Sequence, residues 1–194
     1  MKGGRMMIYP LQKTIYRTLS RSWAQGKYER IRPHLNPGDK IIDLGAGKCA
    51  LSGMLMENGF DVTPVDVSDN SFNPDIKPVI YNGTTLPFEE DTFDVALLLT
   101  VLHHTPDPDT VLNEALRTAK RIIVIEDVYE NPAQKQLTYV TDSLFNCEFR
   151  GHPHTNRTHL EWLLTFDRLG LRVRAVTEQR LLLFYKQVMY HLEK

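Results

Sequence analysis

The residues able to do chemistry begin at Asp43. An apolar pair, Ile41-Ile42, leads into Asp43-Leu44-Gly45-Ala46-Gly47, and a second carboxylate, Asp66, follows 23 residues after Asp43. Glycine lacks a Cβ, so the backbone at Gly45 and Gly47 can turn sharply and approach a ligand closely. A helix starting just beyond would point its free N–H groups at the same place. In a parallel sheet two neighbouring strand ends lie side by side, and a carboxylate at the second can accept both hydroxyls of a ribose. The pattern describes a nucleoside-binding crevice. Gly45-x-Gly47-x-x-Ala50 also fits the loose dinucleotide fingerprint. Asp43 argues against that ligand, because a carboxylate there repels a pyrophosphate and attracts a cationic ammonium group.

Histidines offer a second chemistry. His103 and His104 follow the apolar run Val95 to Leu99. Either could serve as a general base, since imidazole titrates near neutral pH, although packing is the more ordinary role at the start of a crossover. His152-Pro153-His154, with His159 and Asp127, has the residue types of a metal site. The spacing of His152 and His154 is wrong for two ligands on one helix face and no cysteine ligand accompanies them, so no metal is expected. A substrate loop in which His152 or His154 acts on the acceptor fits better. Cys147 reads as core packing. Tyr9, Tyr16 and Trp23 read as the packing edge of a helix, with an aromatic lid as the alternative.

These residues need elements to position them. Short β-branched runs alternate with helical patterns, which implies βαβ units and a mostly parallel sheet. Leu11, Ile15, Leu19 and Trp23 form one stripe of a helix within Ile8 to Leu35. The basic residues on that helix, Lys13, Arg17, Arg21, Lys27 and Arg30, read as a solvated face. Strands are expected at Lys40 to Leu44, Asp61 to Val65, Pro78 to Tyr81, Asp94 to Leu99, Ile122 to Ile125, Leu171 to Thr177 and Gln187 to Leu192. Helices are expected at Ala50 to Asn58, Asp107 to Ala119 and Leu160 to Leu169. Asn70 to Pro74 reads as a loop or a short turn of helix.

The chain has 194 residues with 23 Lys and Arg against 24 Asp and Glu. One domain is expected at that length. It divides into an N-terminal helical cap (1–36), a cofactor-binding half (37–127) and a substrate loop with C-terminal strands (128–194). The balanced charge argues against binding nucleic acid by bulk attraction. Two cysteines make no disulfide framework, and a cytoplasmic location is the simpler reading. The longest apolar runs are too short to span a bilayer, and the basic opening leads into no apolar stretch of the kind a secretory signal needs. The oligomeric state has no signature here.

Taken in order, Asp43-Leu44-Gly45-Ala46-Gly47, Asp66, Asn82-Gly83-Thr84-Thr85-Leu86-Pro87-Phe88, Asp91-Thr92-Phe93-Asp94-Val95 and Leu102-His103-His104 resemble the class I S-adenosylmethionine-dependent methyltransferases of the small single-domain kind. S-adenosylmethionine carries an ammonium group and a sulfonium but no phosphate, as Asp43 requires. The resemblance spans about Lys40 to Glu126. It implies a doubly wound, seven-stranded, mostly parallel sheet of the Rossmann-like methyltransferase fold, with helices on both faces. It also implies methyl transfer by in-line displacement, with a small-molecule acceptor as the expected partner. Asp43, Leu44, Gly45, Ala46 and Gly47 would hold the methionine part. Asp66 would bind the ribose and Val67 would lie on the adenine. Asn82 and Gly83 would read the adenine edge. Thr100 and Val101 would line the floor near the methyl group. Cys49 departs from the family by standing where the loop has its third glycine. A nicotinamide-dependent oxidoreductase and a catalytically silent S-adenosylmethionine binder are the alternative readings.

Overall fold

The computed structural model describes residues 10–131, 134–136, 155–181 and 185–194. The chain runs α1 (Pro10–Ile31), β1 (Lys40–Leu44), α2 (Ala50–Glu57), β2 (Asp61–Asp66), β3 (Val79–Ile80), β4 (Phe93–Leu99), α3 (Pro108–Thr118), β5 (Ala119–Val128), α4 (His159–Arg168), β6 (Arg172–Leu181) and β7 (Tyr185–Glu193). All seven strands join one sheet in the order β3-β2-β1-β4-β5-β7-β6. Neighbours from β3 to β5 are parallel, while β7 runs antiparallel to β5 and β6. The expected mostly parallel α/β sheet is therefore what forms.

Alternate strand residues feed two apolar layers, as strand geometry requires. Ile41, Val62, Val95, Leu97, Ile123 and Ile125 pack under α1 and α2. Ile42, Val65, Ala96, Leu98, Ile122 and Val124 pack under α3 and α4. Trp162 and Phe166 of α4 are wholly buried against Tyr190 on that second layer. β2 lies on one side of β1 and β4 on the other, and the crossovers α2 and α3 cover opposite faces. The carboxyl ends of β1 and β4 thus flank the topological switch point, where open α/β sheets place their ligands.

Several expected elements take different bounds. The core-facing residues of α1 are Ala24, Tyr28 and Ile31, whereas Leu19 and Trp23 are 52% and 56% exposed. Leu19 and Trp23 of the expected stripe therefore do not meet the core; Ala24, Tyr28 and Ile31 dock on the sheet and α2. Lys27 and Arg30 also leave the expected solvated face and turn inward. β5 continues to Val128 because Glu126 and Asp127, which read as strand-ending acids, are satisfied in place. Pro64 sits within β2. β3 joins only at Val65 and Asp66, so the position of Pro64 is paired on the β1 side alone. No helix forms between β2 and β3; the segment is a run of side-chain-capped turns through Asp69, Ser71 and Asn73.

Candidate cofactor site

β1 ends at Leu44 and the chain turns at once. Gly45 has φ +79°, and its N–H and that of Ala46 both donate to the Val65 carbonyl, at 2.8 and 3.0 Å. These bonds tie the loop to the end of β2. A Cβ at Gly45 would stand 2.5 Å from Val101 Cγ2, so glycine is required by space as well as by conformation. Gly47 has φ +53°, and its N–H donates to Asp66 Oδ2 at 2.8 Å. Cys49 is also left-handed, at φ 55°, which explains sterically why a glycine suits this position. Its thiol is buried and pushed up to about 11 by desolvation.

Asp43 is 4% exposed and accepts from Ser52 Oγ of α2 at 2.5 Å. Burial pushes its pKa up, against the opposing pull of Ser52 and the Lys27 charge. Lys27 reaches in from α1 and donates to the Leu99 carbonyl at 2.9 Å and to Thr100 Oγ1 at 2.7 Å. Burial lowers its pKa, while Asp127, Asp43 and Glu126 pull it upward. Arg30 bonds Gln187, which bonds Asp127. Desolvation lowers the Arg30 pKa and the Asp127 charge opposes that shift. The switch point is thus a charged interior with both signs present.

The floor is set by the segment after β4. Thr100 takes φ 63° and donates its N–H to the Ile125 carbonyl at 2.6 Å. That left-handed residue turns Val101 onto Gly45. Across the crevice Val67 is 58% exposed, and a Cβ at Gly83 would meet it at 3.6 Å. Asn82 Oδ1 accepts from Thr84 N, Thr84 Oγ1 and Thr85 N, so this oxygen organises its own turn. Burial and the Asp66 charge raise the pKa of the neighbouring Tyr81 hydroxyl.

Asp43, Leu44, Gly45, Ala46, Gly47, Asp66, Thr100 and Val101 therefore meet at the ends of β1, β2 and β4. Val67, Asn82 and Gly83 lie beside them beyond β2 and β3. His103 turns away into the core: it is 1% exposed, with Nδ1 2.5 Å from Glu126 Oε2. The His104 ring lies against it, tilted by 43° with 4.1 Å between ring centroids. His159 bonds the Tyr190 hydroxyl. His152, His154, Cys147 and Tyr9 lie outside the described residues. Among the described residues no group of three or more His, Cys, Asp or Glu could hold a metal ion. Nor is any helix there long and apolar enough to cross a membrane.

Sequence reasoning did not assign Ser52, Lys27 or Glu126 to this region. Ser52 had a readable signal, since it falls one turn into the helix that follows the glycine loop. Lys27 and Glu126 had none, because their neighbours in space come from distant elements.

Residues 42–122 match the methyltransferase-domain family. That match takes in 81 of the chain's 194 residues. Over 99 aligned residues the chain is 32% identical to a demethylmenaquinone methyltransferase of Streptomyces avermitilis, covering 46% of this chain and 43% of that protein. A ubiquinone biosynthesis O-methyltransferase of Paraburkholderia phymatum is 30% identical over 92 residues, covering 42% of this chain and 39% of that protein. The chain thus spans less than half the length of the curated relatives it matches. The fold matches that of an S-adenosylmethionine-dependent methyltransferase from Methanosarcina mazei at TM-score 0.69 and 18% identity, over 86% of this chain and 97% of that one. It matches the magnesium protoporphyrin IX methyltransferase of Synechocystis, solved with bound S-adenosylhomocysteine, at TM-score 0.65 and 15% identity, over 98% and 90%.

Proposed function

We propose that the chain is an S-adenosylmethionine-dependent methyltransferase acting on a small molecule. The observation that carries the reading is Asp43: a buried carboxylate at the switch point, behind a glycine loop with no room for a Cβ at Gly45. A pyrophosphate brings two negative charges to that place, while a methionine tail brings an ammonium. Asp66 sits at the end of β2 with its oxygens on the Gly47 and Ser68 N–H groups, where ribose hydroxyls could compete for them. Val67 and Gly83 offer the apolar edge for the base, with Asn82 fixing the turn beneath. Leu44 and Ala46 contribute backbone to the loop, and Thr100 and Val101 the floor beneath the reacting methyl.

The sulfonium is already activated, so the remaining work is in-line positioning, which can supply about 7–11 kcal/mol. A base is needed only where the acceptor must lose a proton; His103, His104, His152 and His154 are the candidates on this reading, of which His103 is buried. The names of the quinone-pathway relatives support a small acceptor. Residues 1–36 and 128–194 would recognise it around the central 37–127 segment. A cytoplasmic setting suits the free, buried Cys49 thiol.

Calorimetry with S-adenosylhomocysteine tests the cofactor assignment. Wild type binds one equivalent. Asp66→Ala weakens binding at least about tenfold, or roughly 1.4 kcal/mol, through lost charge-assisted hydrogen bonds. Unchanged affinity in Asp66→Ala would refute the ribose role.

A further inference from the structure

Glu126 is wholly buried at the carboxyl end of β5, on the side of the sheet that faces α3 and α4. Three N–H groups converge on its carboxylate. Oε1 accepts from Val101 N at 3.0 Å and from Leu102 N at 2.8 Å, and Oε2 lies 2.5 Å from His103 Nδ1. The three donors belong to consecutive residues, immediately after the left-handed Thr100. Val101 is the residue whose side chain lies against Gly45. A carboxylate from the neighbouring strand therefore holds the N–H side of the segment that closes on the glycine loop, while Thr155 bonds the carbonyls of Leu102 and His103.

We propose that Glu126 is a positioning residue for the cofactor crevice, holding Val101 and Leu102 by their N–H groups and using His103 as its third donor. The inference rests on the cofactor reading above and adds to it a residue that touches no cofactor atom. Hydrogen bonds to a charged acceptor are about twice as strong as neutral ones, and a buried donor left without its partner is costly. Without Glu126, Val101 N, Leu102 N and the His103 ring lose one common acceptor inside the core. The strained turn at Thr100 then rests on its own bonds to the Ile125 and Leu99 carbonyls and on the Lys27 contact, none of which holds Val101 or Leu102 by its N–H. His103 thereby has a role distinct from acid–base chemistry: with Nδ1–H given to Glu126, its ring orientation is fixed from within.

The test compares Glu126→Ala, Glu126→Gln and a core control, Leu112→Ala on α3, by S-adenosylhomocysteine calorimetry and 15N NMR on the full chain. Glu126→Ala loses about tenfold or more in affinity, and its Val101 and Leu102 amide protons move upfield. Glu126→Gln keeps an oxygen for both backbone N–H groups but presents an amide N–H to His103. Its affinity stays within about threefold of wild type, and the His103 proton moves from Nδ1 to Nε2. Leu112→Ala lowers Tm comparably yet retains affinity. Wild-type affinity in Glu126→Ala, an unswitched His103 in Glu126→Gln, or equal affinity loss in Leu112→Ala would each overturn the proposal. If Glu126→Ala fails to fold, the Gln variant decides through its tautomer and affinity. Failure of wild type to bind S-adenosylhomocysteine would overturn the cofactor reading instead, and the amide shifts would still decide the clamp.

Discussion

Asp43 is held at a cost that ligand binding can exploit. Burial raises its pKa, so the folded state binds the proton more readily than the unfolded chain does. The stability associated with the protonated form is complete below the unfolded value and is lost as pH rises through the raised folded value. Asp43→Asn, which keeps an acceptor for Ser52, therefore melts above wild type at pH 7. That advantage shrinks as pH falls through the raised pKa and vanishes near pH 4. Thermal scans of both proteins across this range check the sign; a constant advantage at all pH values would contradict it. At Gly45, Gly45→Ala forces a Cβ to within 2.5 Å of Val101 and fixes an unfavourable φ. The expected loss is about 1–3 kcal/mol from overpacking alone, with partial recovery in the Gly45→Ala, Val101→Ala double variant by urea unfolding. The carboxylates and glycines were legible in the sequence because their types and spacing are local facts. The Asn82 oxygen shows the limit: its type suits an adenine amine, yet a turn two residues long already uses it.

Among the elements, β1 is recovered to the residue, since an apolar run ending at a glycine leaves little choice of bounds. β5 was read too short, because Glu126 and Asp127 look like the end of a strand until their partners are known. Those partners, the Val101 and Leu102 N–H groups and Gln187, come from β4's end and from β7. The core face of α1 is hard to read for a similar reason: Leu19 and Trp23 are apolar enough to face inward, and only the sheet and α2 select Ala24, Tyr28 and Ile31 instead. α4 was better defined. Thr158 accepts from Glu161 N, and the Glu161 side chain accepts from Thr158 N, a capping box readable in the sequence itself. Thr158→Ala is expected to cost about 1 kcal/mol in urea unfolding. Since α4 carries Trp162 and Phe166 into the core, that loss is felt by the whole domain.

At the scale of the molecule, the strand order and the opposed crossovers of α2 and α3 place a topological switch point between β1 and β4, where a ligand crevice is expected. A half-buried lysine, Lys27, and three buried carboxylates, Asp43, Glu126 and Asp127, lie at its base. The N-terminal helix is thereby part of the site wall, through the Lys27 contacts with Leu99 and Thr100. The central claim is that this crevice accepts a nucleoside with an amino-acid tail and rejects a diphosphate. Amide NMR of the wild-type chain, titrated separately with S-adenosylhomocysteine and NADH, measures this directly. The account predicts saturable shifts at Gly45, Gly47 and Val67 with S-adenosylhomocysteine and none with NADH. Saturation of the same amides by NADH, with S-adenosylhomocysteine leaving them unmoved, would contradict it.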